Sequence, residues 1–155
     1  MNYRLYTPQD FAELYAIEEV CFQSPFRFGR RAMVRLIQSP RATTWIAEED
    51  GRMAGFAMVE SSGKSSGTIA YIQTIEVIPE QRGRGVGHQL LLRIEDSARA
   101  AGSVALWLHV DAQNAGAIRL YETHGYRCEG REEEFYAPGR AALIYRKLLE
   151  TGTAG

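Results

Sequence analysis

Cysteine is scarce: Cys21 and Cys128 are the only two among 155 residues, and they fit no metal-ligand spacing. They read as reduced, structural thiols. Histidine is nearly as scarce. No two of His88, His109 and His124 stand three or four apart, as a helical ligand pair would, so no metal site is expected. No apolar run approaches the length of a membrane span, and Met1-Asn2-Tyr3-Arg4 lacks the apolar core of a signal segment. A cytoplasmic protein without a membrane partner is the expectation. Net charge is −1, which removes any bulk electrostatic pull toward nucleic acid. Internal repeats are absent too. What remains is a chain that is 45% hydrophobic, enough for one domain with its own core. That domain is expected over residues 1–150, with 151–155 as a frayed tail.

The most informative stretch runs from Val77 through Ile78-Pro79-Glu80-Gln81-Arg82-Gly83-Arg84-Gly85-Val86-Gly87. An apolar β-type run, Tyr71 to Ile78, ends at a proline. A glycine-rich turn follows, then a segment with helical periodicity. Such a turn bares main-chain N–H groups at a helix N-terminus, where the macrodipole favours anions, so it reads as a phosphate cradle. Arg82 and Arg84 add charge that suits a phosphate. Two familiar phosphate loops are excluded. A Walker loop needs Lys and then Ser or Thr where Val86-Gly87-His88 stands, and a dinucleotide fingerprint needs a third Gly where His88 stands.

Strand signals cover Asn2–Tyr6, Thr43–Glu48, Met53–Glu60, Thr68–Ile78, Val104–Val110, Tyr126–Tyr136 and Ala141–Leu149. Helix signals cover the segment begun by Thr7-Pro8-Gln9-Asp10, then Arg30–Gln38, Gly87–Ala100 and Asn114–His124. Asp50-Gly51 marks a hairpin, and Ser61 to Gly67 is Ser/Gly-rich and reads as flexible. The order β-α-α-β-β-β-α-β-α-β-β predicts an α/β fold, a mixed sheet with helices on both faces.

Arg82-Gly83-Arg84-Gly85-Val86-Gly87 resembles the pyrophosphate loop of the GNAT N-acetyltransferases, whose pattern is Gln or Arg, two residues, Gly, one residue, then Gly or Ala. Trp107 to Tyr126 is similar to the second half of that family's cofactor site: a strand, an Asn-capped helix bearing a Tyr, and a Gly-aromatic exit. The resemblance covers Tyr3 to Leu148. It implies the GNAT fold, with a bulged strand before the phosphate loop that splays from its neighbour, and acetyl-CoA as cosubstrate. It also implies cofactor contacts from the main chain of Ile75 and Val77, from Arg82, Gly83, Arg84, Gly85, Val86 and Gly87, and from Asn114 and Tyr121. Asn114 reads as a helix cap as well. Arg119 reads as a solvated charge rather than a phosphate contact.

Acetyl transfer to an amine needs a base for the ammonium, donors for the oxyanion and an acid for the departing thiolate. Tyr121 is the expected acid, because a phenol is protonated at neutral pH. His109 and Tyr71 are the expected base pair. In the bacterial ribosomal-protein alanine acetyltransferases, which this chain otherwise resembles, a Glu stands at the His109 position. Tyr71 with His109 instead resembles the eukaryotic NatE-type enzymes, in which the pair works through an ordered water. Alternation along the strands places Tyr71, Gln73, Ile75 and Val77 on one face, and Trp107 with His109 on one face. Glu76 is a further candidate, expected either to pack under a helix or to be re-aimed by a bulge.

By the same resemblance Pro25, Phe26 and Tyr136 flank the acceptor. The acceptor is expected to be the N-terminal α-amine of a protein or peptide. A small amine such as a polyamine, an aminoglycoside or an amino-acid derivative is the alternative, and a non-catalytic acetyl-CoA binder a third. Glu132-Glu133-Glu134 reads as a solvated face, although it would also attract a polycation. A monomer or homodimer is expected.

Overall fold

The computed structural model describes residues 1–63 and 67–150. The tail expected at 151–155 and the middle of the Ser61–Gly67 stretch lie outside them. Seven strands and four helices follow the expected order: β1 (Asn2–Leu5), α1 (Phe11–Cys21), α2 (Arg30–Gln38), β2 (Ala42–Glu49), β3 (Arg52–Ser61), β4 (Thr68–Val77), α3 (Val86–Ala100), β5 (Ser103–Asp111), α4 (Ala115–Thr123), β6 (Arg127–Ala137) and β7 (Arg140–Leu148). The strands form one sheet in the order β1-β2-β3-β4-β5-β7-β6. Among the described strand pairs only β4–β5 is parallel.

Local chemistry sets these boundaries. Asp50 and Gly51 both hold positive φ, 53° and 77°, so the β2–β3 hairpin turns as its Asp-Gly pair requires. Asn114 caps α4 by accepting from the Ala117 N–H at 3.1 Å. Asp10 accepts from the Thr7 N–H and from both Arg4 η-nitrogens, each at 2.8 Å, which pins the entry to α1 against β1. That pairing holds the Asp10 carboxyl at about 2.

Helices cover both faces of the sheet. Leu90, Leu91 and Ile94 of α3 and Tyr121 of α4 pack on Ala57, Val59, Ile72, Leu106 and Leu108. On the other face Leu14 and Ile17 of α1 and Met33 of α2 pack on Ile46, Phe56 and Met58. Buried side chains of this kind each contribute about 1.5–3 kcal/mol relative to exposure.

Two irregularities in β4 shape the centre. Val59 pairs with Ile72 but Met58 pairs with Thr74, so Gln73 is an extra residue. Further along, the β4–β5 ladder stops at Tyr71 with Trp107, although both strands continue, to Val77 and Asp111. The strands therefore splay, and a gap opens between their C-terminal halves.

The bulge corrects the simple alternation. Ile72, Ile75 and Val77 face α3, whereas Thr74 and Glu76 pair with Met58 and Phe56 on the α1 side. Tyr71 lies on that second face with Trp107 and His109, opposite Ile75 and Val77.

Candidate active site

Two clefts meet in the gap between β4 and β5. The first encloses about 570 Å³ and is lined by Ile75, Val77, Arg82, Gly83, Gly85, Val86, Gly87, Asn114 and Tyr121, among others. Gly85 caps α3 in the left-handed region, φ 82°, where a Cβ is unfavourable. The first main-chain bond of α3 runs from the Gln89 N–H to the Gly85 carbonyl. The N–H groups of Val86, Gly87 and His88 precede it and are free for an anion. Ile78 donates its N–H to Ala54 on β3, so by strand alternation Ile75 and Val77 direct theirs toward the gap. These groups fit a diphosphate followed by an amide-bearing arm.

The loop arginines are less free than the sequence suggests. Arg82 donates Nε to the Val77 carbonyl at 2.8 Å. Arg84 does not line the cleft. It donates to Gln81 at 2.5 Å and lies 3.6 Å from Glu49. Arg119 is exposed at the cleft edge. His88 and His124, unrelated by sequence spacing, face each other across α3 and α4 in hydrogen-bond contact.

The second cleft encloses about 310 Å³ on the other side of Tyr121. It gathers Pro25, Phe26, Tyr71, His109, Tyr121 and Tyr136 from the α1–α2 loop, β4, β5, α4 and β6. Phe26 and Tyr136 close over it with ring centroids 4.8 Å apart, and the Arg140 guanidinium lies 4.8 Å from the Phe26 centroid. Phe22, Phe28 and Phe135 add to the aromatic wall. Among the described residues the one carboxylate lining it is Asp111, which accepts from Arg140 at 2.6 Å.

Tyr121 is 6% exposed and lines both clefts. Burial pushes its phenol well above the usual range, with Tyr136 and Tyr71 adding to the effect. It is protonated at neutral pH. The Tyr71 hydroxyl lies 2.8 Å from His109 Nδ1. Burial raises the Tyr71 phenol as well. Trp107 meets the Tyr71 ring edge-on at 4.7 Å, and Phe135 stacks on His109 at 4.2 Å, so each polar group is braced by an aromatic ring.

Glu76 points away from the acceptor cleft, under α1. It is 2% exposed and Glu18 is fully buried. Thr74 Oγ1 donates to Glu76 at 2.8 Å, and the Phe28 N–H donates to Glu18 at 3.0 Å. Burial, and then Glu18, push the Glu76 carboxyl far above the usual range.

Residues 11–126 match the acetyltransferase (GNAT) family. The chain is 39% identical over 87 residues to the streptothricin acetyltransferase of Streptomyces lavendulae, covering 56% of this chain and 45% of that protein, less than half the relative's length. It is 34% identical over 113 residues to the [ribosomal protein bS18]-alanine N-acetyltransferase of Escherichia coli K12, covering 72% of this chain and 74% of that one. The crystal structure of the ribosomal-protein-S18-alanine N-acetyltransferase from Escherichia coli superposes with a TM-score of 0.85 at 24% identity, over 99% of this chain and 97% of that one. The splayed β4–β5 pair, the glycine loop at the head of α3 and the match over residues 11–126 lead to one conclusion: the chain belongs to the GNAT acetyltransferase family.

Proposed function

We propose that this protein transfers acetyl from acetyl-CoA directly to a primary amine, and that the amine is the N-terminus of a protein or peptide. Acetyl-CoA lies in the larger cleft, its diphosphate on the N–H groups at the head of α3 and its arm along Ile75 and Val77. Tyr121 protonates the departing thiolate and recovers a proton from the second N–H bond that the amine nitrogen breaks after its attack. Tyr71 and His109 take the proton from the ammonium.

The observation that carries the acceptor reading is the small aromatic cleft roofed by Phe26 and Tyr136. A polycation would need an open acidic channel, and the lining carboxylate Asp111 is already neutralised by Arg140. The base also favours an α-amine. Its pKa near 8 against about 10.4 for lysine makes deprotonation easier by roughly 3 kcal/mol. The small-amine reading keeps one specific support, the streptothricin-acetylating relative.

The test is a panel of short peptides with free N-termini, set against polyamines, aminoglycosides and streptothricin, with acetyl-CoA in excess. The peptides are expected to be acetylated at their α-amine, located by mass spectrometry. Acetylation of the small amines alone would reject the peptide acceptor.

A further inference from the structure

His109 has two nitrogens, and the second one also has a partner. Its Nε2 lies 3.1 Å from Glu132 Oε1 on β6. The His109 side chain is 9% exposed and that of Glu132 is 47% exposed, so the contact runs from the buried cleft to solvent.

Glu132 is the last paired residue before an irregularity in β6. Glu132 pairs with Ala142 and Ala137 with Arg140, so four residues of β6, Glu133 to Tyr136, stand against one of β7, Ala141. Within the bulge Glu134 holds φ at 55°, a left-handed backbone that a non-glycine residue adopts at a cost. The same bulge sets Phe135 against the His109 ring. Glu132, just before this segment, and Phe135, inside it, thus converge on one imidazole.

We propose that Glu132 is a positioning residue for the base: its carboxylate holds His109 in the tautomer whose bare Nδ1 accepts from Tyr71, and faces the charge when the ring takes a proton. The inference rests on the reading of Tyr71 and His109 as the base pair. An ionised carboxylate only accepts hydrogen bonds, so Nε2 carries the hydrogen and Nδ1 has the lone pair. Tyr71 then donates to Nδ1, and its oxygen lone pairs are left for the acceptor. The acceptor's N–H bond breaks toward the Tyr71 oxygen as the phenol's own proton forms the Nδ1–H bond. The nitrogen keeps its electron pair for attack on the thioester carbonyl. Tyr71 ends neutral and His109 cationic beside Glu132, and the ring returns the proton to bulk water between turnovers.

Among the described residues the titratable groups in contact with His109 are Tyr71 from β4 and Glu132 from β6, and Tyr121 and Tyr136 line the same cleft. Its partner on β7 is Ile144, and Asp111 of its own strand is bound by Arg140.

The experiment compares wild type, Glu132→Gln, Glu132→Asp, His109→Ala and the His109→Ala/Glu132→Gln double variant. Glu132→Gln is expected to lower kcat roughly 10- to 100-fold with little change in acceptor KM, less than for a fully buried triad carboxylate because Glu132 is half in water. Glu132→Asp should recover part of the rate, and the double variant should be no slower than His109→Ala. Nitrogen NMR of the free protein should show His109 with Nε2 protonated in wild type and a mixture of tautomers in Glu132→Gln. Wild-type kinetics in Glu132→Gln, additive losses in the double variant, or an Nδ1-protonated ring in wild type would each overturn the proposal. The NMR arm needs no substrate. A wild type that acetylates no peptide but shows the Nε2-protonated ring would defeat the acceptor reading and leave the tautomer assignment supported.

Discussion

The two clefts that meet at Tyr121 are made of different material. The larger one is main chain: the gap-facing edge of β4 at Ile75 and Val77, and free N–H groups at the head of α3. The loop arginines are occupied elsewhere, Arg82 with the Val77 carbonyl and Arg84 with Gln81 and Glu49. The smaller cleft is side chain, with Phe26, Tyr71, His109 and Tyr136 delivered by four separate segments. A main-chain site tolerates changes of side chain but not of backbone conformation. A side-chain site behaves the opposite way. The same cofactor grip can therefore serve many acceptors, because the acceptor wall can change without disturbing it.

Tyr121 belongs to both clefts, so removing its hydroxyl tests whether the two are joined by chemistry or only by proximity. Tyr121→Phe keeps the ring, and with it the packing of α4 on the core. It should cut kcat by roughly 100-fold or more, the span of a general acid's contribution. Acetyl-CoA binding measured by calorimetry should stay near wild type, because the main-chain grip is untouched. A variant turning over at full rate would remove Tyr121 from the chemistry and revive a pure acetyl-CoA binder.

A second pair of substitutions contrasts backbone with side chain inside the cofactor loop. Gly85→Ala places a Cβ on a residue at φ 82°. The strain of about 1–2 kcal/mol must be absorbed or the loop must shift, which should weaken acetyl-CoA binding by roughly 5- to 30-fold. Arg84→Ala, a nearby change with larger loss of charge, should stay close to wild type. Equal effects in acetyl-CoA titrations would break the contrast between the two clefts.

The same contrast explains what the sequence could reveal. The cofactor cleft is contiguous from Arg82 to Gly87, and its spacing is local, so its loop could be read directly. Element boundaries were equally local: Arg30–Gln38 is the second helix in both readings, and Asn114 caps α4 as expected. The acceptor side depends on register. Strict alternation put Tyr71 with Ile75 and Val77, and the single extra residue Gln73 separates them. Glu132 sits in an acidic run that reads as solvated, and its contact with His109 spans β7, from β6 to β5. The His88–His124 contact and the Glu18–Glu76 pair likewise join residues far apart in sequence. Tertiary convergence of that kind leaves no periodic trace.

The last contrast concerns stability rather than activity, at the seam between the clefts. Glu76 lines the cofactor cleft yet is buried against Glu18, and its carboxyl stays protonated when folded at neutral pH. In the unfolded chain it ionises near 4.3. The folded protein therefore binds the extra proton, and this group's stabilising share is full below the unfolded value and is lost as pH rises toward the raised folded one. The slope from one such proton is at most about 1.4 kcal/mol per pH unit. Asp10, held at about 2 by Arg4, acts in the opposite sense: its stabilising share is present above the unfolded value and is lost as pH falls through about 2. Glu76→Gln copies the protonated form and cannot ionise. Denaturant unfolding should show it more stable than wild type at pH 8, with the difference shrinking toward pH 5. Parallel pH curves for the two proteins would mean that Glu76 is already ionised in the fold.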